Sequence, residues 1–265
     1  MVVEMNNLGK EVIALIPARS GSQSIVHKNI QTLSGKPLIF YSIDVARKTR
    51  LIEKVFISTD DRFYADIARH HGGEVPFLRP REISRSESLD KEVISHFMNK
   101  LIEIHGENFD PIIVFLRPTH PIRNPLFLEQ AIRKFDSSNA CMIRSISRAE
   151  QTPYKMWKYK EGQELQRVLG EMEDSMHDYP RQNLPVVYWQ DGYVDCLRKC
   201  FLSDIKCQVH EIRMGGIVSP KNEIDVDYPD EFLEQQKLMN EQTGKEEIHN
   251  SNRIVRSIDG IRFSS

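Results

Sequence analysis

The sequence predicts an α/β fold, a mainly parallel sheet covered by helices on both faces. Three observations predict it. Short apolar runs recur at 12–16, 55–57 and 112–116. Segments with apolar residues at helical spacing alternate with them. Each run also empties into a polar loop, as strands of open α/β sheets do at their ligand-binding carboxyl ends.

Taken in order, the first run, Val12 to Ile16, stops at Pro17, and a helix-like segment begins near Pro37. Val55-Phe56-Ile57 reads as the second strand, ending at Ser58-Thr59-Asp60-Asp61. Asp60 can cap a helix from Arg62 to His71, which Gly72-Gly73 ends. Asp90 to His105 carries Val93, Ile94, Phe97, Met98, Leu101 and Ile102 as a one-sided stripe, with Gly106 as its stop. Ile112 to Leu116 is a strand ending at Arg117-Pro118, and Asn124-Pro125 starts a helix that turns Leu128, Ala131, Ile132 and Phe135 inward. The rhythm breaks after about Ser147. Residues 148–185 read as an inserted arm, with Met156, Trp157, Tyr159, Met172 and Met176 among charges. Such an arm suits a dimer contact, or equally a flap on its own subunit. Strand-like segments return at Gly192 to Leu197 and Gln208 to Met214, and a last helix follows Pro229. The expectation is one domain over 1–265, with a polar tail at 245–265.

A chain of 265 residues, 40% apolar and 28% charged, has an ordinary soluble composition. A net charge of -2 argues against a broad nucleic-acid-binding surface. No apolar run approaches the roughly 20 residues that cross a bilayer, and the first residues lack a secretory pattern, so a cytoplasmic, reducing location is expected. Cys196 and Cys200 lack the nearby histidine or second pair of a zinc site, so the four cysteines, with Cys141 and Cys207, read as thiols.

Two motifs carry chemistry. Between Val12 and Leu38 the loop holds Arg19, Lys28, Asn29 and several hydroxyls, and with the amides of Gly21 and Ser22 it suits a phosphate chain. In Glu223-Ile224-Asp225-Val226-Asp227, alternation places Asp225 and Asp227 on one face of an extended segment. Two such carboxylates repel unless a cation lies between them, and Mg²⁺ commonly bridges carboxylates to substrate phosphates. Asp227 equally suits capping the helix that starts at Pro229.

These residues and several others resemble the acylneuraminate cytidylyltransferase family, the CMP-sialic acid synthetases. Ala18, Arg19, Ser22, Lys28, Asn29, Gly35, Lys36, Pro37 and Leu38 match its opening signature. Ser58-Thr59-Asp60-Asp61, Phe77-Leu78-Arg79-Pro80 and Ser88 follow in the family's order. So do Leu116-Arg117-Pro118-Thr119-His120-Pro121-Ile122-Arg123, Pro180-Arg181-Gln182-Asn183-Leu184-Pro185, Asp191-Gly192 and Ile224-Asp225-Val226-Asp227. The resemblance implies a three-layer, GT-A-like (Rossmann-like) nucleotidyltransferase working as a homodimer. It implies transfer of CMP from CTP to an acidic keto-acid sugar of sialic, legionaminic or pseudaminic type, with pyrophosphate released. Ala18, Arg19, Ser20, Gly21, Ser22, Gln23, Lys28, Asn29, Arg79 and Ser88 would meet the nucleotide. Arg117, Thr119, His120, Lys155, Arg181, Gln182 and Asp191 would meet the acceptor. Asp225 and Asp227 would hold Mg²⁺ (or Mn²⁺) and, with Arg19 and Lys28, carry the catalysis. Neither nucleic acid nor membrane is an expected partner.

The chain departs from the family pattern at informative places. Gln23 and Ser24 replace a lysine and a glycine in the phosphate loop, removing a cation. Arg117 replaces a glutamine, His120 a serine and Asp191 an asparagine. Arg117 would supply the charge missing at Gln23, bind a second anionic group on an unusual acceptor such as an eight-carbon keto-acid sugar or a phosphonate, or face solvent. His120 reads more readily as a hydrogen-bonded structural residue than as a catalyst. A non-catalytic nucleotide-binding protein is the rival reading, and the retained pair of aspartates speaks against it.

Overall fold

The computed structural model describes residues 8–169, 176–202, 213–220, 226, 230–235 and 237. Asp225, Asp227, Cys207, residues 208–212 and the tail at 245–265 lie outside them.

Six strands form the central sheet: β1 (Val12–Pro17), β2 (Lys54–Ser58), β3 (Ile112–Phe115), β4 (Met142–Arg148), β5 (Tyr188–Leu197) and β6 (Met214–Val218). Among the described residues the helices packed on them are α1 (Leu38–Lys48), α2 (Arg62–His70), α3 (Asp90–His105) and α4 (Pro125–Asp136). The strand order is β6-β4-β5-β3-β1-β2. β1 runs parallel to β2 and β3, and β4 parallel to β6. β5 is antiparallel to both neighbours, β3 and β4.

Alternation along β1 builds the three layers. Val12, Ala14 and Ile16 pack with Ile39, Ile43 and Ala46 of α1, Ala65 and Ala68 of α2, and Leu128, Ala131 and Phe135 of α4. Ile13 and Leu15 point the other way, onto Ile94, Phe97, Met98 and Leu101 of α3. Val12 to Ile16 are all 0% exposed, which is what a strand covered on both faces requires.

The helix signals resolve residue by residue. Asn124 accepts from the Leu126 N–H at 2.9 Å, with Pro125 as the first residue of α4. Glu92 reaches back to the Leu89 N–H at 2.7 Å and starts α3, and Gly106 at φ 94 closes it. The cap of α2 is Asp61 rather than Asp60. Asp61 Oδ1 accepts from the Phe63 and Tyr64 N–H groups at 2.8 and 3.1 Å, leaving Asp60 for the loop after β1. Asp61→Ala is expected to cost about 1 kcal/mol of stability. Urea unfolding checks this, and an unchanged midpoint would contradict it.

One strand expectation shifts. β5 begins at Tyr188, not Gly192, because exposed Tyr188, Trp189 and Gln190 pair with Arg148, Ser147 and Ile146. Among the described residues the last strand runs from Met214 to Val218, and 208–212 of the expected strand Gln208–Met214 lie outside them. The arm carries its own small hairpin, Trp157–Lys158 against Gln166–Arg167, with Arg167 over the Trp157 ring. Residues 230–235 and 237 are helical, as expected after Pro229. Among the described residues no helix is long and apolar enough to cross a membrane.

Candidate active site

β1, β2 and β3 all end at one edge of the sheet, and there the loops after β1 and β3, with the chain leading into α3, enclose a cavity of about 170 Å³. Arg19, Ser22, Lys28 and Asn29 line it from the loop after β1. Arg79, Ile83, Arg85, Ser88 and Asp90 line it from the chain leading into α3, and Arg117, Pro118 and Thr119 from the loop after β3. Five cationic side chains thus face one another across a small volume with Asp90 as the carboxylate among them. That balance favours a polyanionic ligand.

The first loop is folded by its own polar groups. Ala18 extends the sheet by donating to Ser58 O at 2.9 Å. The buried Asn29 donates from its amide to Arg19 O at 3.0 Å, drawing the two ends of the loop together. Asp60 accepts from both the Ser20 N–H and the Ser20 hydroxyl, each at 2.9 Å. Arg19 donates to Gly21 O at 2.8 Å, and the Ser22 amide donates to Ser20 O at 3.1 Å. The Ser20 and Ser22 amides are therefore occupied within the loop, while the Arg19 and Lys28 side chains face the cavity. His27, in the left-handed region at φ 56, hydrogen-bonds Tyr64 at 3.1 Å across to α2. Burial, with help from Asp61 and Asp60, pushes the Tyr64 phenol up to about 12.

Arg79 is 4% exposed, and its Nε donates to Ser84 Oγ at 3.0 Å, which in turn donates to Pro80 O. Burial pulls the Arg79 pKa down, and the nearby Arg19 charge adds to the effect while Asp60 and Asp90 oppose it. Ser88 is half-buried and accepts from the Arg85 N–H at 3.0 Å.

The third wall is braced from behind. Arg123, 8% exposed, donates to Tyr193 O at 2.8 Å, Ser42 Oγ at 3.0 Å, His120 O at 2.5 Å and Arg117 O at 2.6 Å. One guanidinium so fixes the loop from 117 to 123 against β5 and α1. Arg117 does not face solvent. It donates from Nε to Asp90 at 3.1 Å and from one terminal nitrogen to Asp195 at 3.0 Å, and Asp195 is 1% exposed. Burial works against the charge on Arg117, but Asp195 and Asp90 hold its pKa above the ordinary value. Arg117 thus enters the cavity already neutralised. At the rim, the N–H of Val226, which is 0% exposed, donates to Thr119 O at 2.8 Å. Val226 is the residue between Asp225 and Asp227 in the sequence.

The other expected acceptor residues lie elsewhere. Lys155, Arg181 and Gln182 are exposed on the arm, and none of them lines the cavity. Asp191 is buried where the β4–β5 register shifts, accepting from Ser147 Oγ at 2.7 Å and the Tyr193 N–H at 3.1 Å. Burial would raise its pKa, but bonds from Ser145, Ser219, Ser147 and that amide hold it below the usual range. Gly192, at φ 76, lets the chain turn there. A Cβ would point at His120 and Arg117, 3.5 and 3.8 Å away, in a conformation that L side chains rarely adopt.

His120 is 2% exposed and packs edge-on against Tyr193 behind the cavity wall, outside the lining. Burial, with Arg123 and Arg117 adding repulsion and Asp191 opposing, pulls its pKa from 6.5 to about 3. Its neutral form is therefore built into the fold. The unfolded chain takes up this proton near the ordinary pKa, and the folded chain not until far lower. The His120 contribution is complete above that ordinary value and erodes as pH falls, by up to about 1.4 kcal/mol per unit. Between about pH 7.5 and about pH 5 the unaltered protein should lose about 2 kcal/mol more than His120→Gln in urea unfolding. Equal losses would sink this account.

Sequence reasoning did not assign Arg85 or Asp90 to the site. The one available signal was the charge run from Arg79 to Asp90 just before the α3 stripe.

Comparison with known proteins agrees with this geometry. The chain is 27% identical over 224 residues to the N-acylneuraminate cytidylyltransferase of Streptococcus agalactiae serotype V, covering 83% of this chain and 51% of that protein. It is 34% identical over 123 residues to the CMP-N,N'-diacetyllegionaminic acid synthase of Legionella pneumophila, covering 46% and 51%. The chain spans about half the length of these curated relatives. Among solved structures, CMP:2-keto-3-deoxy-manno-octonic acid synthetase complexed with CTP superposes with a TM-score of 0.63 at 17% identity, covering 88% of this chain and 99% of that one. That likeness establishes the shared α/β fold. The family model described as cytidylyltransferase matches residues 13–152, which hold all of the cavity lining, and the chain belongs to that family.

Proposed function

We propose that this chain transfers CMP from CTP to a hydroxyl of an acidic keto-acid sugar, of sialic, legionaminic or pseudaminic type, and releases pyrophosphate. The observation that carries the proposal is the cavity that Arg19, Lys28, Arg79 and Arg85 line at the carboxyl edge of the sheet. The names of the relatives support the acceptor class.

In this reading Arg19 and Lys28 hold the triphosphate, and Ser88, beside them in the lining, contacts cytosine or ribose. Arg117 and Thr119, on the opposite wall, meet the acceptor. The acceptor oxygen forms a bond to the α-phosphorus as the bond from that phosphorus to the bridging oxygen breaks. Pyrophosphate leaves, and the hydroxyl proton is released. Such a reaction needs positioning and charge neutralisation more than covalent chemistry. Asp225 and Asp227 would hold Mg²⁺ (or Mn²⁺), a hard cation suited to two carboxylates and phosphate oxygens. The anchoring of Val226 at Thr119 supports their approach to the cavity. When bound, the ion supplies neutralising charge and a more electrophilic α-phosphorus.

The arm supports a homodimer in the same reading. Tyr159, Tyr188 and Trp189 are exposed, and Met156, Val187, Tyr188 and Trp189 line a second cavity of about 410 Å³ at the arm's base. Light scattering that returned the mass of one chain would remove the dimer. The thiols of Cys141, Cys196 and Cys200 fit a reducing, cytoplasmic setting.

The test of activity is pyrophosphate release from CTP with a panel of nine-carbon keto-acid sugars, eight-carbon keto-acid sugars and phosphonates. Release with a nine-carbon acid is expected. Release with only another acid would move the acceptor, and CTP binding without release on any acceptor would overturn the enzyme reading.

A further inference from the structure

The phosphate loop carries Gln23 where a cation would be expected, and Arg117 does not replace that cation because Asp90 and Asp195 already hold it. A different side chain stands in the right place. Gln23 Nε2 donates to Ser86 Oγ at 3.4 Å, so the loop after β1 meets the segment before α3 beside the cavity. Arg85, adjacent to Ser86, is exposed and lines the same cavity as Ser22 and Arg19. Among the described residues the Arg85 guanidinium forms no ion pair within salt-bridge distance. The Glu87 carboxyl is held low first by Ser86, then by its own backbone amide, and also by the charges of Arg85 and Arg19. Arg85 and Arg19 thus line one cavity from two different segments. Arg79 is buried and tied to Ser84, which leaves Arg85 as the exposed cation on that wall.

We propose that Arg85 is the outer-phosphate ligand of this chain: it reaches across from the segment before α3 to the loop after β1 and grips the leaving end of a nucleoside triphosphate, the place the phosphate loop leaves without a cation at Gln23. The Gln23–Ser86 hydrogen bond aligns the two segments for this contact. The inference rests on the cytidylyltransferase reading for its nucleotide but not for its anion chemistry.

Calorimetric titration separates the two. The probes are CTP, CMP and inorganic tripolyphosphate, with the unaltered chain, Arg85→Ala, Arg85→Lys and the Arg85→Ala/Gln23→Lys double variant. Arg85 is exposed, so its removal leaves the fold intact. Arg85→Ala should weaken CTP and tripolyphosphate roughly tenfold or more and CMP less than about twofold. Arg85→Lys should keep most of the affinity, and the added Gln23→Lys should recover most of what Arg85→Ala loses. An Arg85→Ala protein that binds all three probes like the unaltered chain, or loses all three alike, overturns the proposal. An unaltered chain that binds tripolyphosphate through Arg85 but not CTP would overturn the nucleotide reading and uphold Arg85. One that binds neither would overturn both.

Discussion

Asp225→Asn is expected to lower the rate of pyrophosphate release by about three orders of magnitude and to leave the circular dichroism spectrum unchanged. The expectation follows from charge. In the proposed reaction the triphosphate would bring several negative charges, and the acid acceptor a further one, into a cavity where Arg117 is already neutralised by Asp90 and Asp195. In the proposed reaction a divalent ion held by Asp225 and Asp227 would add neutralising charge at the α-phosphate. Asparagine keeps the size of the side chain and one oxygen but removes half of the anionic pair. A metal ion contributes several kcal/mol to such a transition state, hence the size of the effect. Asp227→Asn should behave alike. Excess Mg²⁺ should restore part of the rate if the ion is merely bound more weakly. Turnover within about tenfold of the unaltered chain would remove Asp225 from this role.

Arg117→Gln is the second large effect, and it acts on the fold. Asp195 is 1% exposed and depends on Arg117, with Arg144 Nε 3.7 Å from its other oxygen. Removing one member of a buried pair strands the other charge and costs about 3–5 kcal/mol. Removing both costs far less, because no charge is then buried unmatched. Asp90 is the half-exposed third member, and water can solvate it when Arg117 is lost. Urea unfolding should therefore find Arg117→Gln severely destabilised and Arg117→Gln/Asp195→Asn largely recovered. A double variant as unstable as the sum of the two single changes would show that the pair is not coupled.

The parts of this molecule that could be read from the chain are those governed by one local rule. β1 carries an unbroken apolar run because both of its faces are covered, and α3 declares itself through a stripe that meets one face of the sheet. Asn124-Pro125 caps α4 by a contact two residues long. The cationic loop after β1 was readable for the same reason, since a strand ending in a polar turn is local. What escaped depends on distant neighbours. Tyr188 and Trp189 join the sheet although they are exposed, because Arg148 and Ser147 supply the backbone partners. Asp60 and Asp61 are equivalent as helix caps in the sequence, and only Ser20, 40 residues away, decides between them. Arg85 looks like any surface arginine until Gln23 and Ser86 meet, 63 residues apart.

Arg148 and Tyr188 stand opposite each other in the ladder, and the next step outward is made by the Ala149 N–H donating to Val187 O at 2.9 Å. The excursion between them thus leaves and re-enters at a single rung. Its length is then almost free to drift through gene duplication or deletion, because closing a longer excursion adds only about 0.6 kcal/mol per doubling. A segment grafted at this rung can therefore change in length without disturbing the strands that carry the cavity.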